Sequence, residues 1–136
     1  MSEIVEFIRR TESVDTFSGC TDEQVTEAQK ALNMTFPEEF VSYVKAFGAI
    51  AFFDAEWTGL NTESYQNVVE VTLSKRELAG LPEGYFVLEN LGIDGILIIV
   101  DQNGTVFEFQ HGTIQKINNS ILEYLTESLR QREEFV

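Results

Sequence analysis

Ile96-Leu97-Ile98-Ile99-Val100-Asp101-Gln102-Asn103-Gly104-Thr105-Val106-Phe107-Glu108-Phe109 is the stretch whose reading decides the fold. An uninterrupted apolar run, a polar turn ending in Asn-Gly, and an alternating run follow one another. Asn-Gly is a strong hairpin signal because both residues accept positive φ. Ile96–Val100 therefore reads as a buried central strand, with Thr105–Phe109 folding back against it. Working outward, Gly112 permits a further turn and Thr113–Ile117 returns as another strand. On the other side, Leu81-Pro82-Glu83-Gly84 is a turn and Tyr85–Glu89 a strand. The result is an antiparallel meander.

Helices flank it. Ser120-Ile121-Leu122-Glu123 has the S/T-x-x-E/Q form of a capping box, and the helix it opens carries Ile121, Leu122, Leu125 and Leu129 inward. That helix is expected to end in a charged, frayed tail, Arg130–Glu134. At the other end, Ser2 can cap a short helix with Ile4, Phe7 and Ile8 on one face, and the polar stretch Thr11–Cys20 then breaks the pattern. Thr21-Asp22-Glu23-Gln24 is a second capping box, followed at helical spacing by Val25, Ala28 and Leu32 and ended by Asn33. Pro37 fits the first position of the next helix. Glu38 and Glu39 complement that helix's positive end. Phe40, Val41, Val44 and Phe47 form its apolar stripe, and Gly48 its C-terminal stop. Ile50–Phe53 reads as a strand, Trp57–Leu60 leaves room for a second short one, and Asn61–Leu78 fits helix or strand.

Runs of helices and strands without strict alternation indicate an α+β fold: N-terminal helices, a central antiparallel meander, and a C-terminal helix packed on the sheet. One domain over residues 1–136 is expected at this length. Val25, Leu32, Phe40, Val44, Phe47, Leu97, Ile99, Leu122 and Leu125 are expected to share its core.

Composition narrows the function. Asp and Glu number 23 against 9 Lys and Arg, a formal net charge of −14. Phosphate binding needs clustered basic residues, so a direct grip on nucleic acid or anionic lipid is not expected. A signal peptide is not read in the acidic, amphipathic N-terminus. The longest strongly apolar run falls far short of the roughly 20 residues a membrane helix requires. A soluble cytoplasmic protein is expected. The single Cys allows no internal disulfide and no cysteine-based zinc site.

No catalytic constellation emerges. Cys20 and His111 are the sole copies of their types, 91 positions apart. A nucleophilic pair would need them adjacent in space, with an orienting group. Asp101-Gln102-Asn103-Gly104 lacks the Glu that a calcium loop carries at its twelfth position, which here is Gly112. Gly92-Ile93-Asp94-Gly95 lacks the Lys-Ser/Thr of a phosphate loop. Neither an enzyme nor a bound cofactor or metal is expected.

The charge is concentrated. Between Ala46 and Gln115 ten acids face only Lys75 and Arg76, a net −8 of the total −14. Asp54-Ala55-Glu56-Trp57 sets two acids beside the only tryptophan. An aromatic anchor with an acidic rim suits a basic protein partner. Asp54, Glu56 and Trp57 are therefore candidate partner-binding residues, with Glu63, Asp94 and Glu108 from the same window. The competing account packs Trp57 internally and leaves the acids to solvation.

Thr21–Gly48 carries a resemblance. Its skeleton is Val25, Gln29, Leu32, Phe36-Pro37, Phe40, Tyr43-Val44 and Phe47-Gly48. It is similar to the N-terminal signature of the SUKH superfamily, in its cell-wall-assembly-regulator (Smi/Knr) branch. Val87-Leu88, Gly92, Asp94-Gly95, the strand Ile96–Asp101 and the closing helix follow in that family's order. Gln29 stands where the family usually has Glu, Asn33 where it has Gly, Phe36 where it has Leu, and Gly48-Ala49 where it has a doubled glycine. The resemblance implies a non-enzymatic α+β domain. Bacterial members look like immunity proteins that neutralise a cognate toxin, often a nuclease; fungal members look like scaffolds for cell-wall assembly. The expected partner is thus a basic protein toxin, and the alternative is an interaction or scaffold domain in a cell-wall or stress pathway. Nuclease toxins tend to be basic because they approach phosphates, and an acidic inhibitor would be steered to one.

Overall fold

Local signals build most of the helices. In the computed structural model, which describes residues 2–134, α1 spans Glu3–Arg10 and buries Ile4, Val5 and Ile8. Met1, Phe135 and Val136 of the expected 1–136 domain, and the side chain of Glu134, lie outside the described residues. In α2 (Asp22–Leu32) the capping box is complete: Thr21 Oγ1 accepts from the Gln24 amide and the Gln24 side chain accepts from the Thr21 amide. Asn33 ends this helix in the left-handed conformation. Gln29 Oε1 accepts from the Phe36 amide at 2.8 Å, so a neutral amide suffices to fasten the turn into the next helix. That helix, α3 (Glu38–Phe47), begins one residue after Pro37, which is its N-cap.

Two antiparallel sheets follow. β1 (Val14–Thr16), β2 (Ile50–Phe52) and β3 (Ala55–Glu56) pair in the order β1-β2-β3. β1 falls inside the polar stretch Thr11–Cys20 that breaks the helical pattern. β4 (Tyr85–Asn90), β5 (Leu97–Asp101), β6 (Val106–Gln110) and β7 (Thr113–Asn118) form the expected meander, with β5 in its interior. The Trp57–Glu89 bridge links the two sheets. In the Asn-Gly turn, Asp101 Oδ1 accepts from the amides of Asn103 and Thr105. The ambiguous segment resolves into a 3-10 turn at Ser64–Gln66 and α4 (Val68–Leu78). Asn67 decides that choice, because its side-chain oxygen accepts from the amides of Val69 and Glu70.

α5 (Ile121–Glu134) closes the chain. Ser120 Oγ accepts from the Glu123 amide, while the Glu123 carboxylate reaches back to the Asn119 amide. A second cap comes from afar. Both carboxylate oxygens of Glu39, in the first turn of α3, accept from the amides of Ile121 and Leu122, at 2.7 and 3.0 Å. Glu39 thus serves a helix 82 residues away as well as its own. Among the described residues no helix is long and apolar enough to cross a membrane.

The expected core divides in two. Val25, Leu32, Phe40, Val44, Phe47 and Leu125 are buried together with Phe86, Leu88, Ile98 and Val100. Leu97 and Ile99 face the opposite side of the sheet, in a smaller core with Leu81, Val87 and Phe109. Alternate residues of a strand point to opposite faces, so a wholly apolar strand serves two cores. Leu122 is only partly buried at the margin of the larger one.

Main chains approach closely where Ser18, Gly48 and Gly59 meet. A Cβ on Gly59 would collide with the Gly48 carbonyl, and one on Gly48 with the carbonyl of Ser18. The Leu60 amide donates to the Gly48 carbonyl at 2.9 Å, and the Gly59 amide to that of Gln66 at 2.8 Å.

Candidate functional site

The acid-rich segment folds as a hairpin. Phe52 pairs with Ala55 and Ala51 with Glu56, so Phe53 and Asp54 cross the tip. Strand alternation sends Phe52, Ala55 and Trp57 inward and leaves Phe53, Asp54 and Glu56 exposed. Phe53 has φ +53°, a left-handed conformation that bulky side chains rarely adopt. Such strain costs about 1–3 kcal/mol and is found at sites where surrounding structure over-determines it. Its ring is nonetheless 49% exposed.

Trp57 is not on the surface. It is 0% exposed, with ring centroids 5.6 Å from Tyr43, 5.9 Å from Phe52 and 6.2 Å from Tyr124. The expectation that it anchors a partner is corrected to a core role: the strand period that exposes Glu56 turns Trp57 inward. Its Nε1–H donates at 3.2 Å to Glu89 Oε1, which also accepts from Tyr124 OH at 2.8 Å. Glu89 is 2% exposed, and Arg132 Nη2 lies 3.5 Å from its other oxygen. Burial pushes the Glu89 carboxyl above its ordinary value, against the lowering by Tyr124, Arg132 and Trp57. Arg132 Nε also donates to Asp54 Oδ1 at 2.9 Å and holds that carboxyl below its ordinary value.

A cleft of about 440 Å³ opens between the hairpin and α4, bordered by Asp54, Glu56, Tyr65, Glu70 and Lys75. Beside it a shallower depression of about 820 Å³ runs from Phe17 to Asn67 and includes Glu63. The two share Ser64, Tyr65 and Gln66. Asp54, Glu56 and Glu63 therefore border one continuous surface, with Tyr65, 67% exposed, between them. Hydrogen bonds to main-chain carbonyls fix the segment beneath it: the Thr58 amide donates to the Leu88 carbonyl, the Gln66 side chain to the Trp57 carbonyl, and Tyr43 OH to the Thr58 carbonyl.

The other two candidates line neither depression. Asp94 sits in the β4–β5 turn, where its carbonyl accepts from Gln110 Nε2. Glu108 lines a separate groove of about 320 Å³ beside α5, with Asn118, Glu127 and Arg132. Shared membership of an acidic window placed them in one group, but the meander carries them to other faces. Conversely, Phe53, Tyr65 and Glu70 escaped the sequence reading. Phe53 was legible only as the aromatic that breaks strand alternation before an Asp.

Cys20 is buried and unpaired in a disulfide, and burial pushes its thiol up, away from the reactive thiolate. His111 lies exposed in the β6–β7 turn with φ +49°. Among the described residues no group of three or more His, Cys, Asp or Glu is placed to hold a metal ion. Apart from Lys75 at its border, what this surface offers chemically is carboxylates and exposed aromatic faces, a combination suited to cationic side chains.

No curated protein matches the chain. A solved structure described as a crystal structure of a protein from Pseudomonas syringae pv. tomato superposes with a TM-score of 0.73 at 17% identity. The match covers 92% of this chain and 95% of that one, and it shows a common fold. The family described as SMI1-KNR4 cell-wall, SUKH_5, matches residues 1–130. The chain, with its capped N-terminal helices, meander and closing helix, belongs to the SMI1-KNR4 family.

Proposed function

We propose that this domain is an immunity protein that acts in the cytoplasm by binding and neutralising a cognate basic protein toxin, a nuclease being the class that best fits, with no catalysis of its own. The observation that carries the reading is the surface around Tyr65. Exposed aromatics at Phe17 and Tyr65, and at the neighbouring Phe53, accompany the carboxylates of Asp54, Glu56, Glu63 and Glu70. Aromatics supply desolvated anchors, and carboxylates steer a cationic partner and pair with its rim. Family membership supports a protein-binding role. The cell-wall description of the family favours, as second reading, a scaffold domain using the same surface.

Co-expression with the products of the genes beside its own, each tested for toxicity alone, tests the proposal. Wild type should restore growth, and Tyr65→Ser should weaken binding by about 2 kcal/mol, chiefly through faster dissociation. Glu56→Gln with Glu63→Gln should slow association severalfold and flatten its salt dependence. Failure of the wild type to protect or bind would leave the scaffold reading. Protection with unchanged kinetics in every variant would move the recognition surface elsewhere.

A further inference from the structure

The hairpin tip carries strain because its two-residue turn requires a left-handed first residue and Phe53, not glycine, fills that position. Phe53 holds φ +53° while exposed. Beneath it, the Arg132 guanidinium lies 5.4 Å from the ring centre of Phe52. The same group donates through Nε to Asp54 at the tip and pairs through Nη2 with buried Glu89. Glu89 is fixed in turn by Trp57 and Tyr124. One side chain of α5 therefore connects a solvent-facing turn to a carboxylate inside the protein.

We propose that Arg132 is a positioning residue, a latch by which α5 holds the Phe53–Asp54 tip in its strained shape. Lysine could not replace it. A guanidinium is a rigid planar fork able to address two carboxylates at once while stacked on a ring, whereas an ammonium is a point charge. Using this tip to meet a partner rests on the binding reading above. The latch itself does not, and its test needs no partner.

Backbone amide exchange followed by NMR on the full chain decides the matter. The reporters are the amides of the β2–β3 ladder and of Trp57, which donates to the Ile50 carbonyl. In Arg132→Met they should exchange about tenfold faster than in wild type, as expected for local opening after loss of a charge-assisted tie. Asp54→Asn, which cuts the outer arm alone, should accelerate them about threefold, while β5 and β6 amides stay within about twofold in both variants. Arg132→Lys should remain close to Arg132→Met. Unchanged hairpin exchange, equal acceleration throughout β4–β7, or full restoration by lysine would each overturn the latch. If Arg132→Met does not fold, Asp54→Asn decides, since its side chain is 87% exposed and its substitution leaves the core intact.

Discussion

Trp57→Phe separates a core role for the only tryptophan from a surface one. Phenylalanine keeps an aromatic ring among Tyr43, Phe52 and Tyr124 but deletes the Nε1–H that donates to Glu89 and the benzo part of the indole. A hydrogen bond to a charged acceptor is worth about 1.5–3 kcal/mol. The vacated volume adds about 1–2 kcal/mol, because a close-packed interior relaxes only in part. Glu89 keeps Tyr124 and Arg132, which places the sum at about 3 kcal/mol. Domains of this size are stable by about 5–15 kcal/mol, so the variant should stay folded at room temperature. Urea titration followed by far-ultraviolet circular dichroism is the appropriate assay, because the substitution removes the only indole fluorophore. Partner affinity measured where the variant is folded should change little. A loss below about 1 kcal/mol in stability, together with a loss of binding above about 2 kcal/mol, would return Trp57 to the interface and refute the argument.

Glu39→Ala should destabilise the protein by about 2–3 kcal/mol in a thermal melt, because it orphans two partly buried amides of α5 at once, and Glu39→Gln should recover part of that. An equal melting temperature for all three proteins would show that water caps α5 as well. A pH series on Glu89→Gln tests the buried carboxyl. Its folded pKa is raised above the ordinary 4.5, so its favourable contribution is full below that value and is lost as pH rises through the folded pKa. Wild type should therefore lose stability relative to Glu89→Gln as pH rises from about 4 towards neutrality. Parallel urea midpoints across that range would contradict the sign.

Elements whose signals are local were readable from the chain. Thr21 and Gln24 cap each other three residues apart, Asn103-Gly104 makes its own turn, and Ser120 caps the helix it precedes. Elements decided by distant partners were not. β1 is three residues with only Val14 buried, and it is a strand because β2 lies beside it. α4 is crowded with β-branched residues that favour strands, and one Asn67 side chain tips it to helix. Leu97 and Ile99 looked like their neighbours, since an all-apolar strand conceals which face meets which core. The same limit governed the site. Acid density pointed to Asp54–Trp57, and alternation held the information that Glu56 and Trp57 point apart, but without Gly or Asn at the tip the turn at Phe53-Asp54 gave no register, and the second strand is Ala55–Glu56 rather than Trp57–Leu60.

The junction of Ser18, Gly48 and Gly59 bears on how such a domain could acquire a new specificity. Contact there is between main chains, closed by the Leu60 and Gly59 amides, and it leaves no room for a side chain. The frame that presents the hairpin and the 3-10 turn is therefore indifferent to the side chains displayed at positions 56, 63 and 65. Those three can be exchanged as a set, to retarget the surface, without renegotiating the scaffold, while any side chain added at Gly48 or Gly59 would displace the whole display.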